Sequence, residues 1–340
     1  MCLLQNTPIL LKHIYILTGI FQLTLKKWPF LWYLPCYTFY GYLFYLYYHT
    51  PNDYNPTFVI LDVYATTQNV AFVTICVISF HRRSHSLNDV LTQLDTIEAK
   101  LTFGRKYDPD WCPRILPALL VSFFFYVPFM NSPAIMLFFP VFPLVLNCFD
   151  ILFLNDVLAK FLHSFKAIND NIKTMNVQLI QDLSSTHFTL VTLASTICKN
   201  FEVTLIAAFL LWFDMAVETV YYVVVLIAHG GRDGLDYACN VTWVIYYFVW
   251  LFVVVKIFAR VEAEANQTSE FVHDVWEKYI QKGLTDKKIC HLQLVSVGFL
   301  NNKLRFTVRG IFDLNWTFCH TVGTVWQNVQ FKSKIPRTVN

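Results

Sequence analysis

The sequence predicts an all-α fold: a seven-transmembrane helix bundle with a cytoplasmic N-terminus and helical regions on the cytoplasmic side. Three observations predict it. Hydrophobic residues make up 56% of the 340 positions and charged residues only 14%, where soluble proteins carry roughly 25% charged residues. Apolar runs close to the ~20 residues that cross a bilayer recur along the chain. Lysine and arginine fall almost wholly on one side of those runs. The net charge of +3 is too small to suggest nucleic acid as a partner, and the lipid bilayer is the partner the composition demands.

Residues 1–27 form a first, cytoplasmic segment. Its moderately apolar stretch, Ile9–Leu25, is interrupted by Lys12 and His13 and lacks a small-x-small cleavage site, so it does not read as a signal peptide. Lys26 and Lys27 mark its boundary with the membrane. Six apolar segments then occupy residues 28–259: Trp28–Tyr48, Phe58–Phe80, Ile115–Met130, Ala134–Leu154, Val203–Ala228 and Cys239–Ala259. The third is short, and Asn131-Ser132-Pro133 turns the chain into the fourth. Ile311–Phe331 is the seventh and least apolar, and residues 311–340 comprise it and a short outer tail.

Orientation follows from the basic residues. Segments 1–27, 81–114, 155–202 and 256–310 share one side and carry 3, 6, 4 and 9 of the 26 lysines and arginines. The positive-inside rule makes that side cytoplasmic. Arg232, Lys332, Lys334 and Arg337 remain outside.

The cytoplasmic stretches carry their own patterns. Leu158, Phe161, Leu162, Phe165, Ile168 and Ile172 recur at helical spacing, so the fourth span should continue beyond the membrane. After the sixth span, Val261, Ala265, Thr268, Val272, Val275 and Tyr279 form a stripe among acidic residues. Residues 260–310 are therefore expected to be cytoplasmic helices, and the stripe by itself suits a soluble helix lying on its neighbours as well as one that meets another subunit. The run 291–309, with Lys303, Arg305 and Arg309, is read as a cationic helix in water or headgroups.

Polar groups inside spans are costly in lipid, roughly 2.5–3.5 kcal/mol for a mid-helix Asp. Asp62, Gln68 and Asn69 lie in the second span. Asp214 and Glu218 are four apart in the fifth, on one face with Tyr221 or Tyr222 a turn further out. Trp243 and Tyr247 are four apart in the sixth. These groups serve either helix–helix hydrogen bonding or a ligand pocket that opens outward. Such a pocket, from Asp62, Asn69, Asp214, Glu218, Tyr222, Trp243 and Tyr247, would suit an amine through charge and cation–π contact, or a polyol through hydrogen bonds. In the seventh segment Thr324 and Gln327 share a face, with Gln330 toward the outer exit. Amides at membrane depth should face protein or water, which suggests a pore wall.

Here the sequence resembles a known family. Phe306-Thr307-Val308-Arg309-Gly310-Ile311-Phe312, with Gln293-Leu294 upstream and Gln330-Phe331 downstream, resembles the C-terminal signature of insect gustatory receptors, relatives of the insect odorant receptors. The resemblance implies seven helices, a cytoplasmic N-terminus, residues 260–310 as cytoplasmic anchor helices that join subunits, and a plasma-membrane tetramer of identical or related subunits around one cation pore lined by the seventh helix. It implies a small-molecule tastant as ligand, cations as permeant species and no cofactor. That family usually closes its seventh helix with Thr-Tyr, five apolar residues and Gln-Phe. Gly323-Thr324 stands at the first of these positions here, and Trp326-Gln327-Asn328 interrupts the apolar run. A misread last exon would produce such a departure.

Two rivals meet obstacles. A seven-helix G-protein-coupled receptor needs its N-terminus outside, against the charge asymmetry, and no Asp-Arg-Tyr or Asn-Pro-x-x-Tyr element occurs. A zinc-dependent seven-helix hydrolase needs histidines within the spans, and only His320 lies in one. His81 and His85 have helical zinc spacing, but they sit in a cationic loop that repels a metal. No catalytic motif and no metal site is expected. The nine cysteines are scattered singly and read as small core residues. The sequons at Asn240, Asn266 and Asn315 are expected to be unused.

Overall fold

The computed structural model describes residues 86–101, 135–173, 177–228, 234–282 and 287–318, with isolated helical residues at 45, 71, 74, 75, 79, 320, 321 and 324. Residues 86–101 are helical. Four longer helices follow: α1 Ile135–Ile172, α2 Val177–Ala228, α3 Gly234–Gln281 and α4 Lys287–Asn301. A two-stranded antiparallel ladder, β1 Thr307–Val308 and β2 Phe312–Asp313, comes after them. The first three apolar segments lie largely outside the described residues.

Contacts divide the chain into two units. One comprises Met1–Thr96, Arg105–Asp156 and Asn200–Tyr247; the other comprises Ile97–Gly104, Val157–Lys199 and Phe248–Asn340.

In the first unit, α2 has two faces. Leu205, Ala208, Leu211, Trp212 and Ala216 are buried, whereas Leu210, Phe213, Val217, Tyr221 and Val224 are exposed at helical spacing. A soluble helix turns charge outward on that face. This one turns out leucine, valine and aromatics, as a helix against lipid does. Val241 and Ile245 on α3 continue the same habit. Among the described residues two helices are long and apolar enough to cross a membrane, Ile180–Tyr221 and Val244–Gln281. Leu87, Val90, Leu91 and Leu94 bury one stripe of the 86–101 helix, and Asn200 Nδ2 donates to Ser86 Oγ at 3.1 Å.

In the second unit the expected stripes are the core. Phe161, Phe165, Ile168 and Ile172 of α1 are fully buried, as are Val261, Thr268 and Val272 of α3, with Ala265 and Val275 nearly so. α1 thus carries the fourth apolar segment 18 residues past Leu154 without a break. A polar group at its centre is fully used. Asn169 Nδ2 donates to the Glu264 carbonyl at 3.0 Å and to Glu264 Oε1 at 2.8 Å, and Thr268 Oγ1 donates to Asn169 Oδ1 at 2.6 Å. Satisfied on both atoms, a buried amide fixes register; left unsatisfied, it would cost about 1–3 kcal/mol. Lys160 pairs with Glu98 at 3.5 Å and ties the 86–101 helix to α1.

The C-terminal part corrects the expectation of a helix over 291–309 and of a seventh span beginning at Ile311. α4 ends at Asn301, where the Asn302 N–H and its Nδ2 both donate to the Gly298 carbonyl at 3.0 Å. The chain then alternates. Lys303, Arg305, Thr307 and Arg309 are exposed, while Leu304, Phe306 and Val308 are buried. Period two belongs to a strand, not a helix. The turn closes with the Ile311 N–H donating to the Val308 carbonyl at 2.9 Å, and Arg309 and Gly310 take positive φ, 48° and 66°. Two positive φ values in succession suit a tight hairpin, and glycine takes the second without strain. The last helix starts only at Trp316, where Asn315 Oδ1 accepts from the Thr317 N–H at 3.0 Å as an N-cap.

Candidate functional site

The sequence-derived pocket residues are described unevenly. Asp62 and Asn69 lie outside the described residues, as do His81 and His85. Tyr222 and Trp243 fall within α2 and α3, but their side chains are outside what is described. Asp214 and Glu218 stand one helical turn apart on α2 in the first unit. Both are half-buried, on the flank between the exposed Phe213–Val217 stripe and the buried Ala208–Leu211 side. One carboxylate oxygen of each, Asp214 Oδ2 and Glu218 Oε2, is shielded from solvent. Tyr247 is buried on α3, its ring 5.6 Å from that of Tyr246.

Carboxyl groups on one flank of a membrane-capable helix can hold a cation when ionised and hydrogen-bond hydroxyls in either form.

The same rule of polar groups in spans, applied to the fourth segment, would have found a further pair. Asn147 and Asp150, three apart on α1, are 0% and 1% exposed. Neither amide atom of Asn147 has a hydrogen-bond partner among the described residues.

The second candidate locus is the hairpin. Asn266 of α3 holds Leu304 by both backbone groups: its Nδ2 donates to the Leu304 carbonyl at 3.0 Å, and the Leu304 N–H donates to its Oδ1 at 2.9 Å. One turn away, Glu262 Oε2 accepts from the Phe306 N–H at 3.5 Å. Burial holds the Glu262 carboxyl above the usual range and nearby Asp313 adds to this, while the Phe306 N–H and Arg305 oppose it. Phe306 packs on Phe258 with ring centroids 4.9 Å apart, a burial that stabilises the docked strand by about 2 kcal/mol. The Leu314 N–H donates to the Phe306 carbonyl at 2.8 Å. The Trp316 ring lies 5.3 Å from Phe252, and Phe312 stacks on Phe318 at 4.4 Å. The start of the last helix is thereby fastened to one face of α3 from residue 252 to residue 266. Sequence reasoning took Asn266 and Asn315 only as unused sequons; both are structural.

Of the proposed pore residues, Thr324 is helical and exposed, its hydroxyl donating to the His320 carbonyl at 2.6 Å. Gln327 and Gln330 lie outside the described residues. Among the cysteines, Cys198 is buried as expected, but Cys290 is exposed.

A family model described as 7tm chemosensory receptor matches residues 8–325 of the chain. Comparison with curated proteins returned no match.

Proposed function

The chain belongs to the 7tm chemosensory receptor family, and from that premise we propose that it is an insect-type gustatory receptor acting as a tastant-gated, non-selective cation channel of the plasma membrane. The observation that carries the reading is a chemoreceptor match over almost the whole chain, on a sequence whose last apolar segment is too polar to face lipid. Four identical or related subunits surround one pore, with Thr324, Gln327 and Gln330 on its wall. The tastant binds between helices two to six, in a pocket that opens outward, at Asp62, Asn69, Asp214, Glu218, Tyr222, Trp243 and Tyr247. Tighter binding to the open arrangement shifts the population toward it.

The carboxylate pair provides the test. Asp214→Asn with Glu218→Gln keeps shape and hydrogen-bonding capacity and removes charge. Cells bearing the receptor are screened with a panel of amines and polyols, with current and surface labelling recorded together. Loss of charge-assisted contacts, about 1.5–3 kcal/mol, should raise the half-maximal concentration of an amine roughly tenfold to a hundredfold at normal surface level. Collapse of surface level instead assigns the pair to folding and removes the pocket.

A further inference from the structure

We propose that the hairpin after α4 is a docking strip for the headgroups of anionic phospholipids in the cytoplasmic leaflet. The inference rests on the cytoplasmic placement of segment 256–310 given above and goes beyond the channel reading.

Depth is the first argument. Phe306 packs on Phe258, one residue before the apolar sixth segment ends at Ala259. Cys198, whose thiol donates to the Thr307 carbonyl at 3.8 Å, lies five residues before the fifth segment begins at Val203. The hairpin therefore lies level with the inner ends of two spans. A third marker agrees: Trp316, 49% exposed, rests against the exposed Phe252, and tryptophan concentrates at membrane–water boundaries.

Chemistry is the second. The face of the segment turned away from α3 carries Lys303, Arg305 and Arg309, all exposed. Lys256 and Arg260, four apart on α3, are exposed beside the same boundary, and the Lys256 ammonium lies 5.8 Å from the Phe252 ring centroid. Asp313, paired across the ladder with Thr307, shares the hairpin's outer face and leaves the cations there in excess. Five basic side chains immediately below membrane spans match the pattern that attracts acidic headgroups. Ile311 at the turn is 70% exposed, and on a water-facing loop that apolar side chain would have nothing to touch. Next to headgroups it dips into the acyl boundary while the arginines hold phosphate bidentately, as interfacial anchors do. The strand alternation separates the two tasks, apolar residues to α3 and cations to lipid.

The test uses the full chain in nanodiscs of phosphatidylcholine alone, or with phosphatidylserine or phosphatidylinositol 4,5-bisphosphate added. Native mass spectrometry counts retained anionic lipid, and hydrogen exchange reads residues 303–311. Anionic lipid should be retained preferentially and should slow exchange in that window. Each basic residue contributes roughly fivefold, so Lys303→Gln with Arg305→Gln and Arg309→Gln should weaken retention about a hundredfold. Arg305→Lys with Arg309→Lys should stay within a few-fold of the parent. If the triple variant fails to fold, Arg305→Gln alone, read at about fivefold, decides. No lipid preference, or one unchanged by the glutamines, overturns the proposal. Soluble inositol 1,4,5-trisphosphate that competes as well as the lipid shows a free-anion site and also overturns it. So does protection of 303–311 that is equal in neutral nanodiscs, because a second copy of the chain then covers the strip. An N-terminus found outside would remove the topology without altering the nanodisc result, since both leaflets there carry the anionic lipid.

Discussion

His187 sits in the second unit with its Nε2–H donating to the Ala265 carbonyl at 3.0 Å and its ring edge-on to Phe165 and Phe299, at 5.2 and 4.6 Å. Its Nδ1 is buried with no hydrogen-bond partner among the described residues. Burial lowers its pKa from 6.5 to about 4, against the smaller raising effect of the Ala265 bond. The folded chain therefore holds the imidazole neutral, while the unfolded chain protonates it near its ordinary value. Because the folded pKa is depressed, the stability that depends on the neutral ring is complete above pH 6.5. It is lost as pH falls toward 4, up to about 3 kcal/mol. Thermal unfolding of the detergent-solubilised receptor at a series of pH values should show that slope. His187→Gln should be less stable at pH 7 but lose less between pH 7 and 5. A parallel slope in both proteins would assign the acid sensitivity to other groups. Helical spacing alone does not distinguish this histidine from one on a wet helix face, because its burial is created by α1, α3 and α4, which are distant in sequence.

At the scale of elements, the helices were legible and the hairpin was not, although both were written in apolar spacing. The stripes from Leu158 to Ile172 and from Val261 to Val275 repeat every three or four residues over several turns, long enough for one period to dominate. Lys303-Leu304-Arg305-Phe306-Thr307-Val308-Arg309 alternates just as cleanly, but only over seven residues, and it lies between helical patterns. The basic positions read as a helix's polar face when they were a strand's outer row. The deciding group is Asn266, whose side chain gives Leu304 the two bonds a neighbouring strand would have given. Asn266→Ala leaves the Leu304 N–H and carbonyl without those partners at a cost of about 1–3 kcal/mol. Residue-resolved hydrogen exchange in nanodiscs should show the Leu304 and Phe306 amides speeding up roughly tenfold or more. Exchange at Thr317 and Phe318, in the first turn of the last helix, should rise with them, and Ile168–Asn169 should be unaffected. Asn266→Asp, which keeps the acceptor for the Leu304 N–H and loses the donor, should fall between. Faster exchange at Leu304 with none at Phe318 would mean that the clamp holds the strand without positioning the helix.

For the whole molecule, the distribution of charge says more than its sum. Twenty-two of 26 lysines and arginines fall on one side of the seven-segment reading, and the same side holds the polar network at Asn169 and the clamp at Asn266. Asp214 and Glu218 lie in a segment whose exposed residues are leucine, isoleucine, valine, phenylalanine and tyrosine. The hydrogen-bonded network belongs to the second unit and the carboxyl groups to the first. If the last helix joins them as a pore wall, its water-facing stripe runs from Thr324 through Gln327 to Gln330, positions three apart and hence neighbours on one face. Four copies of each amide would keep a narrow passage wet without fixing a charge, which fits weak selection among small cations. The check is chemical. Thr324→Cys, Gln327→Cys and Gln330→Cys are expressed singly with Cys319→Ser, and a water-soluble thiol reagent is applied outside during evoked current. Gln330→Cys, nearest the outer exit, should react fastest, Gln327→Cys more slowly and Thr324→Cys slowest, each reaction reducing current. Val325→Cys and Val329→Cys, off that stripe, should resist. Reaction at the valines in place of the amides would rotate the helix and move the pore to its other face. A conducting channel in which no position reacts would take the last helix out of the pore altogether.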